Sequence, residues 1–271
     1  MISRIKIEWL AKRLGRMSLP EIAHRIQTKL YTSAQQAGFG LQQRVPEPDL
    51  HADAAAWIDP GGQFAATDYR ERAERLKKDG LPFFGCCVDY ADFVSGWCKD
   101  PKSGTTAPLS FGKSLDYRDA RLVGDIKYLW EPNRHLYLVA FAQAYHLSGE
   151  KEYLEAVAEI IDSWLRQNPY MRGPNWTSSL ELGIRLINWS IAWQLIGGRR
   201  SELFQGAAGQ ERLRNWLEAI YRQADFIQHH FSRFSSANNH LIGEAAGLFT
   251  AAVTWPYWKI AARWRDVSRN I

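Results

Sequence analysis

A succession of helical segments fills the second half of this chain and limits its possible folds more than any other feature. After Asp119 the apolar residues recur at helical spacing, and Gly or Pro residues separate one segment from the next. The predicted helices span about 133–147, 150–166, 178–196, 209–231 and 239–254, with a last one after Pro256. Helices of this length joined by short links pack as antiparallel neighbours. We therefore predict an all-α domain of helical hairpins, arranged as a bundle, a solenoid or an (α/α) toroid, although no fixed-length repeat supports the solenoid.

The beginning of the chain follows a different pattern. Helical stretches come first, and Ser18 followed by Pro20 is typical of a helix start. Several prolines and the Gly61-Gly62 pair then interrupt any long element. We expect an N-terminal arm and linker over residues 1–68 and a helical domain over 69–271, with a short helix at 69–78 and loops or short strands over 80–117.

Composition and charge narrow the class of partner. With 46% hydrophobic and 23% charged residues, the chain lies in the ordinary globular range. Its 34 basic and 29 acidic side chains leave a net charge of +5, which suits an anionic partner. Because the basic residues alternate with acidic ones, nucleic acid is not indicated. The 12 tryptophans serve either a helical core or platforms for sugar rings.

Cysteine usage and hydropathy exclude several other classes. Cys86, Cys87 and Cys98 lack the spacing of a zinc site, so we expect reduced thiols without metal and no cofactor. The first 29 residues never reach the apolar run of a signal peptide, and no stretch resembles a membrane span. The default expectation for the compartment is therefore the cytoplasm.

The densest polar cluster precedes the predicted helix at 239–254. It runs from Ser235 through Asn238, Asn239 and His240, with Glu244 one turn further on. A helix cap explains one of these side chains, because capping needs only one acceptor. Two amides and an imidazole beside the positive end of a helix indicate a binding or catalytic site instead.

Two further clusters combine charged and aromatic residues. The segment 125–135 contains Trp130, Glu131 and Arg134 just before a helix, and the segment 173–181 contains Asn175, Trp176 and Glu181. Glu181, Arg185 and Trp189 then share one helix face at successive spacings of four. Such a face either lines a sugar-binding cleft, with Arg185 contacting a carboxylate, or packs against a neighbouring helix as a structural ion pair.

A glycoside hydrolase is the rival chemistry, because it needs two carboxylates across a cleft. Candidates for that pair are Asp125, Glu131, Glu181 and Glu244. Nucleophilic triads and phosphate loops find no support, since neither a GxSxG nor a Walker pattern occurs.

Three stretches, in this order, resemble the N-terminal helical half of the heparinase II/III-like polysaccharide lyases. They are DIKYLWEPNR at 125–134, GPNWTSSLELGIRLINW at 173–189 and NNHLIGEAAGL at 238–248. The resemblance implies an incomplete (α/α) toroid, followed in the family by an antiparallel β-sandwich. It also implies β-elimination on uronate-containing polysaccharides, with an acidic polysaccharide as substrate. The alternatives are a noncatalytic carbohydrate-binding or structural helical module and the hydrolase.

The resemblance also assigns roles to individual residues. Asn239 is expected to hydrogen-bond the uronate carboxylate, and His240 to act as a base or a substrate-orienting group. The remaining substrate-binding candidates are Asn238, Arg185, Glu181, Trp130, Asn175, Trp176, Trp189, Glu244 and Arg134. Since the family's catalytic Tyr and second His lie further downstream, we expect the chain to be a fragment, weak or inactive alone, whose β-sandwich domain is its partner. Such a family relationship would also allow a periplasmic location.

The identity of the glycan is open among several uronate polymers. A sulfate-binding site requires clustered Arg and Lys side chains, and Arg199-Arg200 is the only adjacent Arg pair. This favours an unsulfated acidic polymer.

Overall fold

The structure is a computed structural model that describes residues 17–40, 44–58 and 64–271. Residues 1–16 of the predicted arm and part of its linker lie outside these ranges, and the predicted boundary at residue 68 stays a prediction. The described helices are α1 Leu19–Gln36, α2 Ala66–Lys78, α3 Tyr90–Ser95, α4 Ala120–Val123, α5 Ile126–Trp130, α6 Leu136–Ser148, α7 Lys151–Gln167, α8 Ser179–Leu195, α9 Gly206–His229, α10 Asn239–Thr254 and α11 Ile260–Arg269. Strands β1 Leu81–Phe83 and β2 Cys86–Val88 form one antiparallel hairpin, with Leu81 opposite Val88.

The predicted helices of the second half are confirmed, and two of them begin three residues from the predicted start. Helix α9 begins at Gly206 and not at residue 209. Helix α6 begins at Leu136 and not at residue 133, because Pro132–Arg134 form a short 3₁₀ turn. His135 then takes a left-handed conformation, with φ +60°, and this reverses the chain before the α-helix begins. Proline at the first position of a turn and a left-handed residue after it both interrupt an α-helix.

Helices α6, α8 and α10 run in the same direction, and α7 and α9 return between them. Leu180 near the start of α8 lies against Gly243 near the start of α10. At the other end, the His146 ring in α6 hydrogen-bonds the carbonyl of Leu195, the last residue of α8. Such a layer of parallel helices joined by antiparallel ones is an incomplete (α/α) toroid, as the sequence predicts.

Glycines allow α8 and α10 to approach very closely. A Cβ atom on Gly247 would lie 2.3 Å from the Cα of Gly183, and one on Gly183 would lie 2.9 Å from the carbonyl oxygen of Gly243. No other residue fits at these contacts without moving backbone. The glycines of the NNHLIGEAAGL stretch therefore bring the first turns of both helices to one end of the fold.

Tryptophan rings fill the core. Trp164, Trp189, Trp216, Trp193 and Trp255 form a chain of edge-to-face contacts with centroid distances of 5.5–5.9 Å. This geometry is the favoured one for aromatic pairs and adds to the free energy of burying the rings. For these five residues the structure selects the helical-core role over sugar platforms.

Helix α1 packs on the C-terminal end of α9. The Tyr31 hydroxyl donates to the Asp225 carboxylate at 2.8 Å, and the Tyr31 ring stacks on His229 at 4.1 Å. The Gln35 amide donates to the hydroxyl of Tyr170 at 3.1 Å. The arm thus contributes one wall beside the segment that connects α9 to α10.

Candidate functional site

The candidate site begins at the first turn of α10. Asn238 caps the helix, since its side-chain oxygen accepts the backbone N–H of His240 at 2.8 Å. The side chains of Asn239 and His240 are exposed and make no hydrogen bond within the described part of the chain. One residue thus satisfies the cap, and the other two polar side chains point into solvent beside the positive end of the helix dipole.

Glu244 lies beneath this exposed pair and anchors the preceding loop. Its two carboxylate oxygens accept the backbone N–H and the hydroxyl of Ser232, both at 2.7 Å. Burial raises the pKa of Glu244, although the two bonds from Ser232 oppose that shift. Lys113 lies close enough to contribute a favourable charge, and burial lowers the pKa of its amine. Glu244 therefore fixes the segment 231–238 that carries the exposed polar residues.

Arg134 joins two carboxylates at the start of α8. It donates to both oxygens of Glu181, at 2.8 and 3.1 Å, and to Glu131 at 2.6 Å. The Glu181 side chain is only 4% exposed, whereas Arg134 is 28% exposed. A bidentate Arg–carboxylate contact of this kind is geometrically specific, and it holds one face of the guanidinium towards solvent.

The partner of Glu181 is therefore Arg134 and not Arg185, which the spacing of four had suggested. Arg185 is fully buried, donates to the carbonyl of Asn133 at 2.6 Å and to Gln223 at 2.9 Å, and stacks on Trp164 at 4.4 Å. Burial lowers its pKa to about 9. Arg185 supports the chain that carries Arg134 and cannot contact a substrate carboxylate from this position.

Three other predicted substrate-binding residues also lie in the core. Trp176 and Trp189 are 2% and 0% exposed, so neither ring offers a face to a sugar. Asn175 is 1% exposed and donates to the side chain of Asn168 at 2.7 Å. The indole N–H of Trp189 donates to the buried ring of His135, whose pKa burial holds well below its usual range. The expected cleft position does not fit these three residues.

Trp130 keeps a partly exposed ring at the edge of the site. Its indole N–H donates to the carbonyl of Pro174 at 3.2 Å, and its ring contacts Tyr117 at 5.4 Å. The bonded edge leaves part of the ring accessible, so Trp130 retains the surface that sugar stacking requires.

All four carboxylates considered for hydrolysis have structural partners. Asp125 caps α5 and pairs with Lys102 at 3.3 Å. Glu131 and Glu181 share Arg134, and Glu244 binds Ser232. A hydrolase needs two carboxylates that face the substrate across a cleft, and these structural contacts occupy all four side chains.

Sequence reasoning missed several residues that shape the site. Lys113 donates to the carbonyl of Thr177 at 3.3 Å, and Ser232 is fixed by Glu244. Arg25 donates to the hydroxyl of Ser235 at 3.0 Å from 210 residues earlier in the chain. A lone Lys, Ser or Arg carries no local signal, and only the folded chain brings them here.

The described ranges contain no cluster of three metal-ligating side chains and no helix long and apolar enough to cross a membrane. Cys86, Cys87 and Cys98 form no disulfide. Burial raises the pKa of the Cys98 thiol to about 11.

A sequence profile of the family described as Heparinase II/III N-terminus matches residues 98–271, more than half of the chain. The match includes all three stretches around the site. The chain belongs to the heparinase II/III N-terminus family. This membership confirms the resemblance noted in the sequence.

Two proteins named heparin-sulfate lyases are similar to this chain in sequence. A heparin-sulfate lyase of Bacteroides thetaiotaomicron is 26% identical over 187 residues, which cover 68% of this chain and 26% of the relative. One from Pedobacter heparinus is 25% identical over 168 residues, which cover 60% and 24%.

Two solved structures share the fold. A heparan sulfate lyase from Pedobacter heparinus matches 89% of this chain with a TM-score of 0.52 and 19% identity. A heparinase III matches 79% with a TM-score of 0.53 and 18% identity. The chain spans about a third of those two structures and about a quarter of the curated relatives.

Proposed function

We propose that this chain is the helical portion of a polysaccharide lyase that cleaves uronate-containing polysaccharide by β-elimination. The observation that carries the proposal is the exposed Asn239–His240 pair at the first turn of α10, left free because Asn238 supplies the cap. Relatives named heparin-sulfate lyases support it. The noncatalytic module and the hydrolase are kept as outcomes of the test.

The reaction makes three demands on its site. The C5 proton of the uronate passes to a base, and its electron pair forms the C4–C5 double bond. The C4–O4 bond breaks, and the departing oxygen takes up a proton. Negative charge accumulates on the uronate carboxylate as the C5 proton leaves, so donors that face this carboxylate lower the barrier.

Asn239 meets the third demand, the stabilisation of the carboxylate charge, in this proposal. Its side-chain amide donates to the uronate carboxylate, and the dipole of α10 adds positive potential at the same place. His240, one residue further on, orients the sugar or accepts the proton. Trp130 offers a partly exposed ring to a neighbouring sugar.

The rest of the polypeptide completes the cleft in this proposal. Since the chain spans a third of the solved relatives, a β-sandwich domain of the same protein would form the opposite wall and supply the remaining acid and base groups. The substrate is an acidic polysaccharide, and the isolated chain binds it with little or no turnover.

The test uses the ultraviolet absorbance of the unsaturated uronate product. A panel of polyuronates is added to the chain and to the full gene product, each as wild type and as Asn239→Ala. Removing one donor to a developing oxyanion lowers kcat by about 10²–10³-fold, so the gene product carrying Asn239→Ala should lose most of its activity. Asn215→Ala, an exposed amide in α9, is the control and should leave activity unchanged.

Three results would contradict the proposal. Full lyase activity in the Asn239→Ala gene product would remove Asn239 from the mechanism. New reducing ends without ultraviolet absorbance would indicate hydrolysis, and glycan binding without any product would indicate a noncatalytic module.

A further inference from the structure

A groove of about 310 Å³ lies between α1 and the segment 231–236. Thr28 and Lys29 form part of one side, and Phe231, Ser232 and Ser236 part of the other. None of the expected site residues lines the groove. Its two walls are about 200 residues apart in the sequence, so no local sequence pattern indicates it.

Positive charge dominates the groove. His24, Arg25, Lys29 and Arg233 all line it. Arg25 is paired with Glu21 at 2.9 Å, whereas no carboxylate within the described ranges forms an ion pair with Lys29 or Arg233. Burial lowers the pKa of His24, and Arg233 and Arg25 lower it further, whereas Glu21 raises it. An anion would find uncompensated cations there.

Phe234 gives the groove an aromatic edge. Its backbone lies in the left-handed region, with φ +57°, and its ring is 42% exposed and 5.5 Å from the His24 ring. A bulky residue rarely adopts this conformation, and surrounding contacts must maintain it. The ring is thereby held outside the core, where it can contact a sugar.

The residues that line the groove lie next to the candidate site along the chain. Ser232 lines the groove and also binds Glu244 beneath Asn239 and His240. Ser236 lies only three residues before Asn239, which limits the separation of their Cα atoms to about 11 Å. A single glycan chain can therefore reach both places.

We infer that this groove is a second subsite, which binds a carboxylate or sulfate group of the acidic polysaccharide next to the sugar held by Asn239. The inference rests on the proposed function, which supplies the glycan. Lys29 and Arg233 bind the anionic group, and Phe234 contacts the sugar ring. The sequence shows no local cluster of Arg and Lys at this place, but the fold brings these cations together. The groove can therefore accept sulfated glycans as well as unsulfated ones.

The test measures binding of two hexasaccharides of alternating uronate and glucosamine, one sulfated and one unsulfated, by calorimetry on the full chain. Lys29→Ala/Arg233→Ala should weaken binding by about tenfold, since an exposed charge pair contributes up to about fivefold. Lys78→Ala/Arg214→Ala removes the same charge from exposed positions in α2 and α9 and should leave the affinity unchanged.

The two ligands identify the anionic group. Weaker binding of both hexasaccharides assigns the groove to carboxylates, and weaker binding of the sulfated one alone assigns it to sulfates. Equal affinities of the two double variants for both ligands would overturn the inference.

Two further measurements do not depend on turnover. Phe234→Gly should reduce affinity without lowering the melting temperature, because glycine adopts a positive φ freely. In NMR titrations, bound hexasaccharide should raise the pKa of His24, and an unchanged pKa would contradict the inference. If these effects hold while the gene product shows no elimination, the groove stands as a glycan site and the proposed lyase function fails.

Discussion

Arg134 decides whether the rim of the site keeps its shape. It supplies the counter-charge for Glu181, which is almost completely buried, and also holds Glu131. Arg134→Ala should lower the free energy of unfolding by about 3–5 kcal/mol, because a buried carboxylate then loses its partner. Urea denaturation monitored by circular dichroism measures this change.

The control for Arg134→Ala is Arg121→Ala, which removes an exposed guanidinium paired with Asp119. This second variant should unfold like the wild type, because exposed ion pairs contribute little. In Arg134→Met/Glu181→Met much of the lost stability should return, since the almost completely buried Glu181 carboxylate is gone and only the more exposed Glu131 loses its partner. Equal stability of Arg134→Ala and Arg121→Ala would show that Glu181 does not depend on Arg134.

At the residue scale, the sequence predicts local roles better than distant contacts. The surplus of polar groups over a single cap predicted that some of them are not needed for capping, and in the structure Asn238 is the cap while Asn239 and His240 are exposed. The spacing of Glu181 and Arg185 predicted a pair, but both side chains project towards the segment before α6, where each meets a different partner. Helical spacing defines a face and does not reveal what that face packs against.

Among the contacts between secondary-structure elements, the one between α8 and α10 positions the candidate site. Gly247→Ala should lower the free energy of unfolding by at least about 1 kcal/mol. The added methyl would lie 2.3 Å from the Cα of Gly183, so the helices must separate, and overpacking costs about 1–3 kcal/mol or more. Alanine is intrinsically the better helix former by about 1 kcal/mol, so a loss of stability shows that packing outweighs propensity.

A matched control for Gly247→Ala is Gly85→Ala in the β1–β2 turn. A Cβ on Gly85 meets nothing within 4 Å, and this glycine does not have a positive φ. Chemical denaturation should therefore find Gly85→Ala as stable as the wild type. A Gly247→Ala chain with raised stability would contradict the close approach of α8 and α10.

The stability of the C-terminal turn of α9 should depend on pH through His229. Burial lowers the pKa of this ring, but its hydrogen bond and charge interaction with Asp225, one turn earlier in the same helix, outweigh that effect, and the pKa is raised. A raised histidine pKa means that the stabilisation is fully present below about pH 6.5 and is lost as the pH rises through the folded-state value. This contribution to the stability of the chain should therefore be lost in mildly alkaline solution.

Urea denaturation at several pH values measures this loss. The free energy of unfolding of the wild type should fall relative to that of His229→Gln as the pH increases. Comparison with this variant is necessary because burial lowers the pKa of His24, His135 and His230, which contribute with the opposite sign. A difference between the two chains that does not vary with pH would refute the role of His229.

For the whole molecule, periodicity predicted the helices but left a bundle, a solenoid and a toroid open, and the family resemblance supplied the toroid. The C-terminal ends of α8 and α10 lie within one residue of the ends predicted from the sequence. The groove beside α1 was not predictable, since Lys29 and Arg233 meet only after the arm packs on α9. The sequence left two roles open for the tryptophans, a helical core and platforms for sugar rings, and the complete burial of Trp189 assigns this residue to the core.

The salt dependence of the affinity distinguishes the contribution of the net charge of the molecule from the contribution of the cations in the groove. The net charge of +5 attracts any polyanion, but at physiological salt such fields extend only about 8 Å. Close contacts release counterions instead, so the logarithm of the affinity falls linearly with the logarithm of the salt concentration. Lys29→Ala/Arg233→Ala should make this slope shallower by about one to two for the sulfated hexasaccharide, as expected for two lost contacts. Lys78→Ala/Arg214→Ala has the same net charge and should keep the wild-type slope, whereas equal slopes in the two variants would attribute the binding to overall charge.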